Sequence, residues 1–464
     1  MAVSQMSKDT GSFRERLAEE RVGVYGLGRT GRSVLKHLRG RVNSLVAFDD
    51  EVAELPVGED IGDVEGPYRG HSKEIFEVDR LVVSPGVPVE RDLFRKLESR
   101  DIPVIGEIEL AYRLMDAGFL YAITGTNGKS TCTELIGTLL EQSLDTTVEV
   151  CGNRGRPFLD AVMESEDSSG YVVEVSSFQI QTMNRFHSDR TLLTNLGDDH
   201  QDRHENVRQY HRIKGELLER TKGSGRVVFP VGALNKEYMR NLMVSEPQRV
   251  TFTRDQVRGL TVELSWDNGL RMNEHHFPRK NIPSVLQRFP ENILASIALI
   301  NDRLDWNGIK QGIEQFTALP HRVEDITPPG ADFAVINDSK ATNPHAVINL
   351  LKTIDQPIRI VIGGGDKDAE YTQLFDCLSE KQVREIVLCG DEALVERCEE
   401  LVVDRNMAVQ VKSDWESAVK TLVNNACSDE TIVLSPGATS FDEFENYKRR
   451  GESFKEWVRE ATRH

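Results

Sequence analysis

Short runs of β-branched residues that end at a glycine recur along the whole chain and alternate with longer stretches of helical periodicity. This order is typical of β-α-β units, in which crossover helices join parallel strands. The pattern starts three times, in three blocks: RVGVYG (21–26), SLVAFDD (44–50), RLVVSPG (80–86) and IPVIGE (102–107); YAITGTNGKS (121–130), YVVEVSS (171–177) and RTLLTNLG (190–197); FAVINDS (333–339), IRIVIGGG (358–365), EIVLCGD (385–391) and TIVLSPG (431–437). The sequence therefore predicts an α/β fold of three domains.

The length of the chain leads to the same number of domains. It has 464 residues, and domains average about 150 residues. Between the second and third blocks, RVVFPV, RVTFTR and GLTVELSWDNGLRMNEHHF alternate like antiparallel strands, and the segment 291–304 has helical character. We expect domains at 1–107, 108–318 and 319–464, the middle one with a parallel sheet plus a small antiparallel portion.

Charge and cysteine content argue against several classes of protein. The 75 acidic and 57 basic residues give a net charge of −18, so nucleic acid and anionic membranes are not expected partners. No apolar stretch reaches the ~18 residues of a membrane span, and the segment MAVSQMSKDTGSFRERLAEER lacks the apolar core of a signal peptide. The 6 cysteines include no C-x-x-C pair, so neither a disulfide framework nor a zinc site is predicted. We expect a cytoplasmic protein.

A glycine-rich turn follows the first predicted strand. Gly26, Gly28 and Gly31 stand in G-L-G-R-T-G before a helical stretch, and Asp49 follows the next strand. Such a turn presents backbone N–H groups to a phosphate, and the acidic residue suits a ribose hydroxyl. The S-P-G at 84–86 adds a turn at another strand end. Two other interpretations remain open: a tight turn without a ligand, and the dinucleotide site of an NAD-dependent oxidoreductase.

The second block contains a different loop, I-T-G-T-N-G-K-S-T at 123–131, between an apolar run and a helical stretch. Backbone N–H groups from Gly125 to Lys129 can wrap a phosphate chain, and the Ser130 hydroxyl can bind Mg²⁺. The pattern G-x-x-x-x-G-K-[ST] would require a glycine at position 123, which is Ile. The first glycine of this loop is Gly125, so the spacing is shorter. The pattern predicts a nucleotide triphosphate site; the alternative is a lysine at an ordinary helix N-terminus.

These loops belong to a longer series of motifs. The series follows the order found in the Mur ligases: GTNGKST (125–131), EVSSFQ (174–179), TNLGDDHQDRH (194–204), YHRIK (210–214), RFPENILASIAL (288–299), LPHR (319–322), NDSKATNP (337–344), GGGDKD (363–368) and LSPGATSFDEFENYKRRG (434–451). The chain resembles this family over nearly its whole length, and most of all the branch that adds D-glutamate to UDP-N-acetylmuramoyl-L-alanine. The resemblance implies a Rossmann-like N-terminal domain for the UDP end, a central P-loop ATPase domain, and a Rossmann-like C-terminal domain that closes over the acceptor amino acid.

The resemblance also implies an activity, ATP-dependent ligation of glutamate through an acyl phosphate in cytoplasmic peptidoglycan precursor synthesis. The implied cofactors are ATP, two Mg²⁺ ions and a carbamate that CO₂ forms on Lys214. The implied partners are UDP-N-acetylmuramoyl-L-alanine and glutamate, bound by a monomer. The alternatives are the same ligation with L-glutamate, an amide ligase similar to folylpolyglutamate synthase, and a scaffold that binds a UDP-sugar without turnover.

Residue roles follow from the same resemblance. The implied catalytic residues are Lys129, His200 and Lys214, and the implied metal ligands are Ser130, Glu174, His200 and the Lys214 carbamate. The implied ATP site consists of Gly125, Thr126, Asn127, Gly128, Lys129, Ser130, Thr131, Asn292, Arg322, Asp338 and Lys340. The implied UDP-substrate residues are Gly28, Arg29, Thr30, Asp49, Ser84, Gly86, Asn153 and Ser176, and the implied acceptor residues are Thr342, Lys367, Ser440 and Tyr447.

Residue chemistry agrees with several of these implied roles. An ammonium group cannot coordinate a metal, whereas a carbamate on Lys214 would provide the oxygen ligand that Mg²⁺ prefers. Arg322 and Lys340 suit phosphate charge. Two positions depart from the family pattern: Tyr447 stands where the family has Phe, and Glu51 lies near a position that is often basic.

Overall fold

The structure is a computed structural model. It describes residues 12–52, 64–88, 92–144, 147–165, 168–197, 206–236, 239, 247–365, 369–405 and 407–462. The chain divides into two compact units, the first with a five-stranded and a seven-stranded sheet and the second with a six-stranded sheet. In these ranges, no helix combines the length and the apolar character that crossing a membrane requires.

The first sheet is parallel, with the strand order β3-β2-β1-β4-β5. Its strands are β1 (Arg21–Tyr25), β2 (Ser44–Phe48), β3 (Val64–Tyr68), β4 (Arg80–Val83) and β5 (Val104–Gly106). The helices of this part are α1 (Arg29–Leu38), α2 (Asp92–Glu98) and α3 (Glu107–Leu114). The strand order reverses between β1 and β4, and the carboxyl ends of such neighbours form the crevice where open α/β sheets bind ligands.

The second sheet has the order β12-β11-β10-β9-β6-β8-β7 and is parallel except for the β11–β12 pair. Its strands are β6 (Phe119–Thr124), β7 (Thr147–Gly152), β8 (Ser168–Glu174), β9 (Ser188–Leu193), β10 (Thr221–Pro230), β11 (Gln248–Phe252) and β12 (Val257–Arg258). Its connecting helices are α4 (Lys129–Ser143), α5 (Phe158–Glu164), α6 (Ser177–Ile180) and α7 (Val207–Glu219). A single buried apolar cluster includes side chains from both sheets of this unit, such as Val24 and Val173, and from α3, such as Ala111.

The prediction of antiparallel strands is wrong for RVVFPV and right for only one of the two pairings of RVTFTR, that of β11 with β12. These segments form β10 and β11, which pair in parallel with each other, and β10 also pairs in parallel with β9. Val227, Val228 and Phe229 are consecutive and all buried. A run that is buried on both faces is typical of parallel strands, whereas half-exposed antiparallel strands alternate.

The small antiparallel portion lies in the GLTVELSWDNGLRMNEHHF segment, as predicted. It is a three-stranded sheet of β13 (Leu264–Trp266), β14 (Gly269–Met272) and β15 (His275–Pro278), in which β13 and β14 are antiparallel. The helices that follow in the chain are α8 (Ser284–Arg288), α9 (Pro290–Ile300) and α10 (Trp306–Gln315).

The third large sheet has the order β16-β17-β21-β18-β19-β20 and is parallel except for β16. Its strands are β16 (Glu324–Asp325), β17 (Ala334–Asn337), β18 (Ile358–Gly364), β19 (Val383–Gly390), β20 (Val409–Val411) and β21 (Thr431–Gly437). Its helices are α11 (Pro344–Leu351), α12 (Thr372–Ser379), α13 (Glu392–Val403), α14 (Trp415–Asn424) and α15 (Tyr447–Ala461). The predicted three-domain α/β fold is confirmed, while its exact domain boundaries stay a prediction.

Candidate active site

The glycine loop between β6 and α4 has the backbone conformation that its sequence requires. Gly125 and Gly128 have positive φ angles of 147° and 80°, a region that residues with a side chain rarely adopt. A Cβ on Gly128 would lie 2.8 Å from Oδ1 of Asn292. The side chain of Asn292, at the start of α9, therefore lies directly against the loop, where the resemblance implied an ATP residue.

The segment after β9 holds this loop in place. The Asn195 side chain accepts a hydrogen bond from Asn127 N at 2.9 Å and donates one to Asn127 O at 3.0 Å. The backbone oxygen of Asn195 accepts from Thr126 N, and the Thr194 hydroxyl donates to Asn127 O. Asn195 and Thr194 were not among the predicted site residues, although their motif was noted; their place after a strand next to β6 was the available signal.

Two lysines converge on one backbone oxygen of the loop. Lys129 Nζ donates to Gly125 O at 2.9 Å and to Thr126 O at 2.8 Å. Lys214 Nζ, on α7, donates to the same Gly125 O at 2.9 Å and lies 4.5 Å from the centroid of the Tyr210 ring. Lys214 is only 1% exposed. The structure thus brings together the two lysines that the sequence predicted as catalytic.

A carboxylate lies beside the first turn of α4. Glu174, at the end of β8 and 3% exposed, accepts a hydrogen bond from the Ser130 hydroxyl. Its other oxygen accepts from the Asn153 side chain at 2.8 Å. The hydroxyl and carboxylate oxygens form a donor set of the hard type that Mg²⁺ prefers. Two residues after Glu174, Ser176 caps α6 through a capping box with Gln179.

The glycine turn of the first sheet is held by a carboxylate. Asp49 accepts hydrogen bonds from the backbone N–H groups of Leu27 at 2.6 Å, Glu51 at 2.8 Å and Val52 at 2.9 Å. Burial alone would raise the pKa of Asp49, but these N–H groups more than offset it and hold the pKa below its usual value. Asp49 is therefore anionic at neutral pH and occupies an amide of the turn that a phosphate would otherwise use.

The remaining predicted donor residues surround this turn. Ser84, after β4, donates its hydroxyl to Gly26 O at 2.6 Å. Open space surrounds Gly28 and Gly86, since a Cβ on either would meet no atom within 4 Å. Arg29, followed by Thr30 in α1, donates to Asn153 O at 3.1 Å. Within the first unit, this contact joins the turn to the segment that holds Glu174.

In the second unit, Asp338 lies buried after β17. It accepts hydrogen bonds from the Ser435 hydroxyl at 2.9 Å and from Val323 N at 3.2 Å. Burial raises the pKa of this carboxyl to about 7, although these hydrogen bonds and the Arg322 charge favour its ionised form. Arg322 stands between two non-glycine residues with positive φ, His321 at 62° and Val323 at 48°. Such strain concentrates at functional sites.

Two further predicted residues of the second unit contact each other. The Lys340 ammonium lies 4.3 Å from the centroid of the Tyr447 ring, a cation–π distance. Ser440 is buried, and Thr342 is half-buried near the start of α11. The predicted residues His200 and Lys367 lie outside the described residues, so their positions stay predictions.

Comparisons with known proteins follow the same division of the chain. Three family models match: a MurD-like N-terminal domain of Mur ligases at 20–106, the Mur ligase middle domain at 123–299, and the glutamate ligase domain of Mur ligases at 321–438. Together they cover each of the three large sheets.

Individual relatives extend over nearly the full length. The UDP-N-acetylmuramoylalanine--D-glutamate ligase of Caldicellulosiruptor bescii is 31% identical, over 96% of this chain and 98% of the relative. The ligase of the same name from Caldicellulosiruptor saccharolyticus is 30% identical, over 95% and 99%. A solved MurF ligase of Thermotoga maritima, in complex with ADP, shares the fold with a TM-score of 0.56 at 14% identity, over 96% of this chain and 97% of that one. The chain therefore belongs to the Mur ligase family.

Proposed function

We propose that this chain joins D-glutamate to UDP-N-acetylmuramoyl-L-alanine at the cost of ATP, in the cytoplasmic synthesis of peptidoglycan precursors. One observation carries the proposal: Lys129, Lys214, Ser130 and Glu174 meet at one glycine loop, in a chain whose full-length relatives carry the corresponding enzyme name. The donor carboxylate attacks the γ-phosphorus of ATP, ADP leaves, and the amine of glutamate then displaces phosphate from the acyl phosphate.

Lys129 serves the phosphoryl transfer through its charge. Its ammonium satisfies two carbonyl oxygens of the loop, and a bound phosphate chain offers it stronger, charged acceptors. The amides of the loop and the positive end of α4 favour the same anion. Asn292, which lies against Gly128, binds on the nucleotide side.

Ser130 and Glu174 fit a magnesium ion. The Ser130 hydroxyl already donates a hydrogen bond to the Glu174 carboxylate. A cation bound there would replace this hydrogen bond and be coordinated by both oxygen atoms. When bound, Mg²⁺ neutralises the developing charge on the phosphoryl oxygens. Asn153 keeps the Glu174 carboxylate in position from its other oxygen. We assign His200 to the same ion.

Lys214 reacts with CO₂ to form a carbamate that binds a second Mg²⁺. In this step the neutral amine attacks carbon dioxide, an N–C bond forms, and one proton is released to water. The buried Lys214 and the half-buried Lys129 share the Gly125 oxygen, so two ammonium groups there repel each other. Carbamylation removes one of these charges and replaces it with an oxygen ligand.

The other predicted residues divide between donor and acceptor. Gly28, Arg29, Thr30, Asp49, Ser84, Gly86, Asn153 and Ser176 are assigned to the UDP substrate. Arg322, Asp338 and Lys340 are assigned to ATP, and Thr342, Lys367, Ser440 and Tyr447 to the acceptor glutamate. The anionic Asp49 at the first turn favours a hydroxyl or N–H donor of the uridine end over its phosphates. We assign these functions to a monomer with domains at 1–107, 108–318 and 319–464.

The test is a phosphate-release assay with purified protein, ATP, Mg²⁺ and UDP-N-acetylmuramoyl-L-alanine. D-glutamate, L-glutamate and D-aspartate are each supplied as the acceptor. We expect ADP and phosphate release that requires both donor and acceptor, with D-glutamate by far the best. Release with L-glutamate alone would support the ligation with the opposite acceptor, whereas no release with any acceptor would refute the proposal. A folate donor with L-glutamate tests the folylpolyglutamate-synthase alternative.

A further inference from the structure

The loop that holds Asn153 is anchored by a residue outside the predicted site. Residues 152–157 connect β7 to α5, and Gly152 N donates to Arg156 O at 2.8 Å across the loop. At the end of this loop, Pro157 is the N-cap of α5 but makes no side-chain capping hydrogen bond. The first N–H groups of a helix need acceptors, so the amino end of α5 depends on an acceptor from elsewhere.

Glu107 is that acceptor. It is the first residue of α3 and is 3% exposed. One of its carboxyl oxygens accepts from Leu159 N at 2.5 Å. A hydrogen bond from the backbone N–H of Phe158 also favours the charged form of the Glu107 carboxyl. A carboxylate at this position satisfies orphan N–H groups and complements the positive end of the helix.

The rest of the Glu107 carboxyl is not explained by helix capping. Its Oε2 atom is buried and has no hydrogen-bond partner among the described residues. Burial raises the pKa of Glu107 to about 7, an effect that Asp160 increases and Arg29 opposes. Burial, together with the charge of Glu107, raises the pKa of the Cys151 thiol. Keeping a partly unsatisfied carboxyl in the interior is unfavourable, which indicates a role beyond packing.

We propose that Glu107 is a positioning residue, which places Asn153 against Glu174 by fixing the amino end of α5. The inference rests on the proposed function for its kinetic readout. Asn153 meets Glu174 at two points, through its backbone N–H and through its side chain, each at 2.8 Å. Its carbonyl accepts from Arg29. A loop released at the α5 end would loosen the metal ligand and the donor contact together.

Helix α5 is also held from its other side, by α1. The Asp160 carboxylate accepts from the Ser33 hydroxyl at 2.5 Å and lies 2.8 Å from His37 Nε2. Lys36 pairs with Glu164. The Lys36–Glu164 pair anchors the carboxyl end of α5 when Glu107 is changed, and Asp160 keeps the first turn of the helix bound to α1. The expected effect is therefore confined to the 152–159 segment.

Glu109 provides a matched control on the same helix. It is completely buried, pairs with Arg113 at 2.6 Å, and accepts backbone N–H groups of Asn184, Arg185 and Phe186 at 2.9 Å. Like Glu107, Glu109 is a buried glutamate that accepts backbone N–H groups, but these N–H groups lie outside the 152–157 loop.

The experiment compares Glu107→Ala, Glu107→Gln and Glu109→Gln in the full-length protein. We expect Glu107→Ala to accelerate amide hydrogen exchange in 152–159 and to raise the donor KM and the Mg²⁺ concentration for half-maximal rate about 10-fold. Glu107→Gln keeps a carbonyl acceptor and should return both values to within about twofold of the unmodified protein. Glu109→Gln should lower the melting temperature but leave the donor KM unchanged.

Two results would overturn the positioning role. One is unchanged exchange in 152–159 in Glu107→Ala; the other is a change of donor KM in Glu109→Gln as large as in Glu107→Ala. If Glu107→Ala does not fold, Glu107→Gln decides, because a 10-fold rise of donor KM in that variant contradicts rescue by the retained acceptor. Absence of ligation by the unmodified protein would refute the proposed function instead, and hydrogen exchange would still test the positioning role.

Discussion

The two glycine loops of the first unit have the same strand–loop–helix architecture but differ in the charged side chains that contact them. At the turn after β1, the Asp49 carboxylate occupies the amide of Leu27. At the loop after β6, two lysine side chains reach the carbonyl of Gly125. A helix N-terminus favours anions in both cases, but at the first turn Arg32 donates to Leu27 O beside the Asp49 carboxylate, whereas at the second loop two lysines share one carbonyl.

This difference indicates that the glycine pattern sets the backbone conformation, while residues from neighbouring strands set much of the charge around each loop. Asp49 comes from the end of the strand next to β1. Glu174 and Asn195 come from, or follow, the two strands that flank β6. Under the proposed function, residues at these strand ends suit the first loop to the uridine end of the donor and the second to the phosphates of ATP.

The largest expected effect comes from removing one of the two lysines at the second loop. Lys129→Ala leaves Lys214 in place, and we expect a loss of at least ~10³ in kcat because the charge of Lys129 no longer neutralises the transferred phosphoryl group. The melting temperature should change little, since Lys129 is only half-buried and donates to carbonyls of the loop itself. The exposed Lys280→Ala is the control. A well-folded Lys129→Ala protein with normal turnover would refute the role of this loop.

The next effect concerns the second lysine. Lys214→Gln and Lys214→Arg should each reduce kcat roughly 10²-fold or more, because neither side chain forms a carbamate. Donor affinity should stay near normal, since the assigned donor residues lie in other segments.

Carbon-13 NMR tests the chemistry of this position directly. Enzyme equilibrated with ¹³C-bicarbonate should show a carbamate signal that is missing in Lys214→Arg. A fully active protein without that signal would show that the second metal, if bound, uses other ligands.

A smaller effect is expected from the residue that shapes the second loop. Asn195→Ala removes two side-chain hydrogen bonds to Asn127, and the displaced loop should lower kcat/KM for ATP about 10-fold. The KM for the UDP substrate serves as the internal control and should change less than twofold. An equal change for both substrates would mean that Asn195 supports the whole unit rather than the loop.

The smallest effect is expected at the first turn. The pKa of Asp49 is lowered in the folded state, so its ionised form stabilises the fold above the unfolded-state pKa of about 4, and this contribution is lost as the pH falls through the folded-state pKa. The difference in unfolding free energy between the unmodified protein and Asp49→Asn should therefore shrink below about pH 4. Urea unfolding from pH 3 to 7 measures it; a difference that is independent of pH would contradict the hydrogen-bonding role of the charge.

Sequence patterns predicted the strands that carry the site better than the strands that border the sheets. The strands β1, β6, β8, β9 and β21 combine apolar runs with a glycine or polar motif at their end, and each was predicted. β3 was missed because Gly66 and Pro67 interrupt its pattern. β16 and β20 were missed because edge strands of two or three residues carry little periodicity.

Site prediction had a similar limit. Lys129, Ser130, Glu174 and Lys214 were found because each lies in a motif. Asn195 also lies in a noted motif, but its role and that of Glu107 depend on contacts with Asn127 and Leu159, which lie 68 and 52 positions away along the chain. Contacts of that separation depend on tertiary packing, which no local pattern encodes.

The most direct test of the central claim follows the oxygen atoms of the donor. UDP-N-acetylmuramoyl-L-alanine with both carboxylate oxygens replaced by ¹⁸O is incubated with ATP, Mg²⁺ and D-glutamate, and the released phosphate is analysed by mass spectrometry. If the carboxylate attacks the γ-phosphorus and the amine then displaces phosphate, each phosphate carries one ¹⁸O and the new amide keeps the other. Phosphate without ¹⁸O, released in step with amide formation, would contradict the acyl-phosphate mechanism.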